Sequence, residues 1–244
     1  IQHIADAGLT VELILETHVH ADHLTAAPYL KKKLGGRIAI GEHVAAVQKY
    51  FAPIFNFSDS FATDGSQFDL LLAEGETFRI GGLEGRVMHT PGHTPACVTY
   101  VIGDAVFTGD TLFMPDSGTA RCDFPGGSAR QLYGSLRKTL ALPPDTRVFV
   151  NHDYGADGKR GFAWETTVAE QRATNIHVAD GVTEEEFVRM REARDATLNV
   201  PKLLLPAIQV NIAAGALPEA AANGIRYLQI PLDLPYPDLV AAHG

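Results

Sequence analysis

No apolar run in this chain approaches the ~20 residues that a bilayer-spanning helix requires. Nor does any segment read as a signal peptide, and no membrane partner is expected. Basic residues are also in deficit, with 20 Lys and Arg against 29 Asp and Glu and a net charge of −9. A nucleic-acid partner would want a basic face, and this balance argues against one. Cysteine is scarce. Of the two present, Cys97 falls in an apolar strand-like stretch, and Cys122 lies in a glycine-rich loop where it is expected near solvent. Two cysteines in such different settings do not suggest a disulfide framework, so a reducing, cytoplasmic location is expected. Repeats, low-complexity tracts and domain linkers are absent too. The 244 residues, 45% hydrophobic and 20% charged, are therefore expected to fold as a single domain, residues 1–244, with a full core.

What is present in abundance is histidine with carboxylate at particular places. Thr17-His18-Val19-His20-Ala21-Asp22-His23 puts four cation-binding groups within six residues. The run follows an apolar stretch, Leu9 to Leu15, and opens a helix-like segment, Leu24 to Leu34. If the apolar stretch is a strand, His18 and His20 project to the same side at its end. Asp22 and His23 then sit where the strand gives way to the helix. Imidazole with carboxylate suits zinc, iron or manganese.

Three further segments offer partners. His89-Thr90-Pro91-Gly92-His93-Thr94-Pro95 is a turn after the strand-like 85–88. Phe107-Thr108-Gly109-Asp110-Thr111 follows a short apolar strand whose hairpin partner is Val98 to Ile102, with Gly103-Asp104 as the turn. Val148-Phe149-Val150-Asn151-His152-Asp153-Tyr154 is again an apolar strand running into polar residues. A histidine or aspartate at one strand end commonly caps a turn. Four such ends in one chain instead predict one shared cleft built on loops from a rigid sheet.

In this order His18-x-His20-x-Asp22-His23, His93, Asp110 and His152 resemble the ligand set of the metallo-β-lactamase superfamily. The resemblance covers nearly the whole chain and implies an α/β fold, a four-layer αβ/βα sandwich. Within the superfamily the chain is similar to the persulfide dioxygenases (sulfur dioxygenases). That match rests on the run from Leu15 to Leu24, on His89 to Thr94, on Arg121-Cys122-Asp123-Phe124 and on His152-Asp153-Tyr154. The glyoxalase II thioesterases share the first two. The resembling families place several strands before a helix like that at residues 1–7, so the chain is expected to be N-terminally incomplete.

The remaining order alternates. Helices are expected at 24–34, 42–50, 128–140, 165–176 and 183–198, the last opened by a Thr183-x-x-Glu186 capping box. Strands are expected at 37–40 and from 68 to 113, with a loop at 59–67. Pro206 to Asn211 reads as an apolar-polar segment at the domain edge or in a dimer interface.

Two chemistries fit the seven residues. With two zinc ions all seven serve as ligands, and a bridging hydroxide attacks a thioester. With one iron, two histidines and a carboxylate leave positions open for substrate and oxygen. The resemblance to persulfide dioxygenases implies one Fe(II) per chain, with Zn(II), one or two, as the alternative. It implies His18, His93 and Asp110 as primary ligands, and His20, Asp22, His23 and His152 as groups around them, or as ligands if the site is dinuclear. Asp22 and Tyr154 are the catalytic candidates beside the metal, and Arg121 would meet a substrate carboxylate. The loop at 117–120 differs from the mitochondrial enzymes, whereas the C-terminal third lacks the Arg/Lys arrangement with which the resembling glyoxalase II enzymes hold glutathione. The expected reaction is therefore oxidation of a small persulfide, glutathione persulfide, by dioxygen to sulfite and thiol, with a sulfurtransferase (rhodanese) partner and a homodimer. A glyoxalase II-like thioester hydrolase and a metal-bound persulfide sensor are the alternatives.

Overall fold

The structure, a computed structural model, describes residues 1–233. Among the described residues two compact units form, Ile1–Leu72 with residues 199–233, and Ala73–Leu198. No helix of the described residues is long and apolar enough to cross a membrane.

The first unit runs α1 (Gln2–Asp6), β1 (Leu13–Leu15), α2 (Ala27–Leu34), β2 (Arg37–Gly41), α3 (Val44–Ile54) and β3 (Leu70–Leu72). Its three strands pair in parallel in the order β1-β2-β3. A central parallel strand is covered on both faces, and accordingly Ile38, Ala39 and Ile40 of β2 are all buried. β1 is shorter than the apolar stretch around it, because only Leu13–Leu15 find register with β2. α2 stops at Gly35, whose φ of +78° is open to glycine at little cost.

The second unit contains β4 (Thr77–Ile80), β5 (Leu83–His89), β6 (Val98–Ile102), β7 (Ala105–Phe107), α4 (Ala129–Leu140), β8 (Arg147–Phe149), α5 (Gly155–Gly158), β9 (Glu165–Thr167), α6 (Val168–Thr174) and α7 (Glu184–Asp195). They make a sheet ordered β4-β5-β6-β7-β8-β9, antiparallel except where β7 runs beside β8. That parallel pair needs a crossover, and α4 supplies it. Ala129, Leu132, Leu136 and Leu140 recur at helical spacing and are buried against Val106, Val148, Val168 and Phe187. Fully burying a leucine contributes roughly 1.5–3 kcal/mol, so this stripe anchors the crossover. The chain then returns to the first unit as α8 (Leu204–Asn211).

Three expectations change. Residues 165–176 are not one helix: Glu165–Thr167 pair antiparallel beside β8 as β9, and α6 begins at Val168 with the Thr167 hydroxyl accepting the Glu170 amide proton. Thr166 and Thr167, branched at Cβ, favour the strand. The segment 206–211 is not an edge but a buried helix beside α3. Cys122 is buried rather than near solvent, and burial pushes its thiol pKa upward; Cys97, also buried, is pushed up to about 12.

His177, 6% exposed, accepts the Thr119 amide proton on Nδ1 at 3.0 Å. Burial first, then the charges of Arg191 and Arg194, push its pKa from 6.5 down to about 4. A histidine depressed on folding binds fewer protons when folded, so the stability it supports is present above its unfolded pKa and lost as pH falls toward the folded one. Between about pH 7 and about pH 4 the unfolding free energy should fall by roughly 2–3 kcal/mol through this residue. Denaturant titrations of wild type and His177→Gln check it: the variant should show the flatter dependence, and identical slopes would place the acid sensitivity elsewhere.

Candidate metal centre

After Leu15 the chain of the first unit leaves β1 through Glu16 and Thr17 and turns without regular structure to Ala26. This loop carries His18, His20, Asp22 and His23. The His18 and His20 rings lie 4.2 Å apart and those of His20 and His23 4.4 Å. Donor atoms of His20, Asp22 and His23 fall within 4.8 Å of one another, close enough for one cation. His18 is buried at 2% exposure with Nδ1 3.0 Å from the Thr17 hydroxyl, whereas the side chains of Asp22 and His23 are 44% and 50% exposed.

The loop is held from behind. Glu16 Oε2 lies 3.3 Å from His20 Nε2, and Glu16 also accepts the Thr25 hydroxyl proton. Burial raises the Glu16 pKa, but the hydrogen bonds from His20 and Thr25 outweigh it and leave the carboxyl below its usual value. With Nε2 turned to this carboxylate, His20 presents Nδ1 as its second polar atom. That atom is buried without a hydrogen-bond partner among the described residues. A buried orphan imidazole nitrogen is costly unless something binds it, which fits a cation site.

Asn211, at the end of α8, completes the support. Its Oδ1 accepts the Thr25 amide proton at 3.0 Å, and its Nδ2 donates to the carbonyls of His20 and His23, both at 2.8 Å. No motif announced this residue. The only signal was a polar side chain closing an otherwise apolar run, and its separation of some 190 positions from the loop hides the pairing in one dimension.

In the second unit, His93 stands on the turn between β5 and β6. Gly92 there has φ +141°, and a Cβ on it would lie 2.4 Å from the Leu132 backbone, so only glycine lets the turn sit on α4. His93 Nδ1 lies 2.7 Å from the Arg121 carbonyl. A carbonyl can only accept, so Nδ1 carries the proton and the neutral ring keeps a lone pair on Nε2. That lone pair faces Asp110 Oδ2 at 3.9 Å, and His152 Nε2 faces the same oxygen at 3.5 Å. Asp110 is 8% exposed, in the turn after β7. A carboxylate oxygen facing an imidazole lone pair calls for a positive charge between them, and nitrogen-oxygen donor sets of this kind suit zinc or iron.

Arg121 forms a two-pronged ion pair with Asp123. Tyr154 is 59% exposed and stacks on His152, with centroids 6.4 Å apart and planes 17° from parallel. Between them Asp153 accepts from Arg160 and from the amides of Gly155 and Ala163. The Arg160 hydrogen bonds hold its carboxyl far below the usual range and fix the loop after β8.

The sequence matches the description of the Metallo-beta-lactamase superfamily over residues 2–152. It is 57% identical to a probable metallo-hydrolase of Burkholderia pseudomallei, over 96% of this chain and 82% of that one. It is 60% identical to a beta-lactamase hydrolase-like protein of Agrobacterium fabrum over 93% of this chain, but spans only 52% of that longer protein. The human mitochondrial persulfide dioxygenase ETHE1 is 33% identical over 82% of this chain and 67% of its own length. Among solved structures, ETHE1 from Myxococcus xanthus superposes with a TM-score of 0.70 at 33% identity, covering 88% of this chain and 82% of that one.

Asn211→Ala should leave the Thr25 amide and two loop carbonyls without their partner, lowering the unfolding free energy by roughly 1–3 kcal/mol. Hydrogen exchange at the Thr25 amide should accelerate in the same variant. Unchanged stability with unchanged exchange would remove Asn211 from the support of the loop.

Proposed function

Because this chain belongs to the metallo-beta-lactamase superfamily, we propose that its two polar clusters serve one metal centre, which oxidises a low-molecular-weight persulfide to sulfite and free thiol. A metal-dependent enzyme follows from its hydrolase and dioxygenase relatives alike and from its metal-competent residue groups. The choice of persulfide oxidation is carried by one observation. The Arg121–Phe124 segment, which the resemblance to persulfide dioxygenases singled out, is the segment whose backbone grips His93.

In this reading His18, His93 and Asp110 are the primary ligands. Bound Fe(II), one per chain, supplies the redox chemistry that dioxygen requires and that zinc lacks. His20, Asp22, His23 and His152 orient the site and exchange protons, with Asp22 exposed enough to pass them to water. Arg121 exchanges Asp123 for a carboxylate of glutathione persulfide, and the Tyr154 hydroxyl, beside His152, donates to the substrate. Both oxygen atoms of dioxygen end on the terminal sulfur, and water completes the sulfite as the thiol leaves. Delivery of the persulfide by a sulfurtransferase, and a homodimer, belong to the same proposal.

A second reading, a zinc thioester hydrolase, is favoured by the His20-Asp22-His23 group, with His20 buried and the other two exposed, which offers a second cation its own ligands, and by the names of the hydrolase-like relatives.

Oxygen uptake with glutathione persulfide after anaerobic iron reconstitution, run beside hydrolysis of S-lactoylglutathione, separates the two. Oxygen consumption with sulfite release, abolished in Asp110→Ala, is expected. Brisk thioester cleavage without oxygen uptake would overturn the oxidation. In the same assay Arg121→Ala should raise KM by the loss of a charge-assisted contact, roughly 1.5–3 kcal/mol, and an unchanged KM would return Arg121 to its ion pair with Asp123.

A further inference from the structure

α7 is rich in charge along its length, yet it buries two charges. Arg191 is 1% exposed and Asp195, one turn later, is 5% exposed. Arg191 donates from Nε and Nη2 to Asp195 Oδ1 at 2.9 and 2.6 Å. Such a pair is expensive to desolvate, and a packed apolar pair of like volume would often hold a fold as well or better. Its remaining bonds all go to one segment. Arg191 Nη1 donates to the Thr119 carbonyl at 3.1 Å, and Asp195 Oδ2 accepts the Cys122 amide proton at 2.8 Å. Between those two backbone anchors lies Arg121, whose carbonyl takes the Nδ1 proton of His93 at 2.7 Å.

We propose that Arg191 and Asp195 are positioning residues for His93. The buried pair clamps the backbone on both sides of Arg121 and aims its carbonyl at Nδ1, which fixes the His93 proton there and leaves the Nε2 lone pair facing Asp110. The bond to Arg121 is made by its backbone, so the clamp acts whatever the Arg121 side chain holds. The consequence for metal binding rests on the assignment of His93 as a ligand; the consequence for its tautomer does not.

Arg191→Met/Asp195→Leu removes both charges together, so neither is left buried alone. Long-range 1H–15N spectra of the metal-free protein, with His93 assigned through His93→Gln, read the tautomer at constant pH, and titration calorimetry with Zn2+ alone reads affinity. Wild type should show one neutral tautomer with the proton on Nδ1. The double variant should show mixed tautomers and bind Zn2+ about 10–100-fold more weakly, the range typical for groups behind a metal ligand. Asp195→Asn, which keeps an acceptor for Cys122 and nearly the same volume, provides the same readouts should the double variant not fold, with a smaller change in the same direction. A wild-type His93 spectrum in whichever variant folds would overturn the proposal. Wild-type protein that holds the Nδ1 tautomer but takes up no Zn2+ would overturn the metal assignment instead, leaving the clamp to be judged on the tautomer.

Discussion

A neutral imidazole has one proton for two nitrogens, and everything asked of the histidines in this chain depends on where that proton goes. Two are assigned by acceptor-only neighbours, and a third has a hydroxyl at its ring that can give or take a proton. The Arg121 carbonyl claims Nδ1 of His93, the Glu16 carboxylate stands at Nε2 of His20, and the Thr17 hydroxyl lies at Nδ1 of His18. The ring nitrogen left over in His20 is therefore the opposite one from that in His93. Ligand orientation is in this way built from backbone and short side chains.

How much of this the sequence discloses depends on distance along the chain. The H-x-H-x-D-H run is legible because its members sit within one loop, and the α/β class and metallo-beta-lactamase fold follow from that run together with the strand-end positions of His93, Asp110 and His152. The capping box at Thr183 and the Gly103 hairpin are equally local and form as expected. Asn211, Arg191 and Asp195 are not legible, because each acts on a loop some 70 to 190 positions away. Nothing in the spacing of Arg191 and Asp195 distinguishes them from an ordinary surface i,i+4 pair. β9 was hidden for a related reason, since its strand state is decided by its partner β8 and not by its own three residues.

The candidate ligands differ in their exposure to water. His18 and Asp110 are buried, whereas Asp22 and His23 stand half open to solvent. Buried donors are poorly screened and hold a cation tightly, while exposed ones exchange theirs with the surroundings. An asymmetric donor set of this kind is compatible with one firmly held ion and a second position filled according to supply.

All seven polar residues of the candidate centre precede residue 153, yet the side chains that hold them in place continue to Asn211. Recognisable ligands and working apparatus are thus of different lengths. A fragment ending just after His152 would retain every candidate donor and lose α7 and α8, and with them the bonds that hold those loops. The piece that keeps its loops held is thus the longer one, reaching through α8, whose Asn211 is bonded to the His20 and His23 carbonyls.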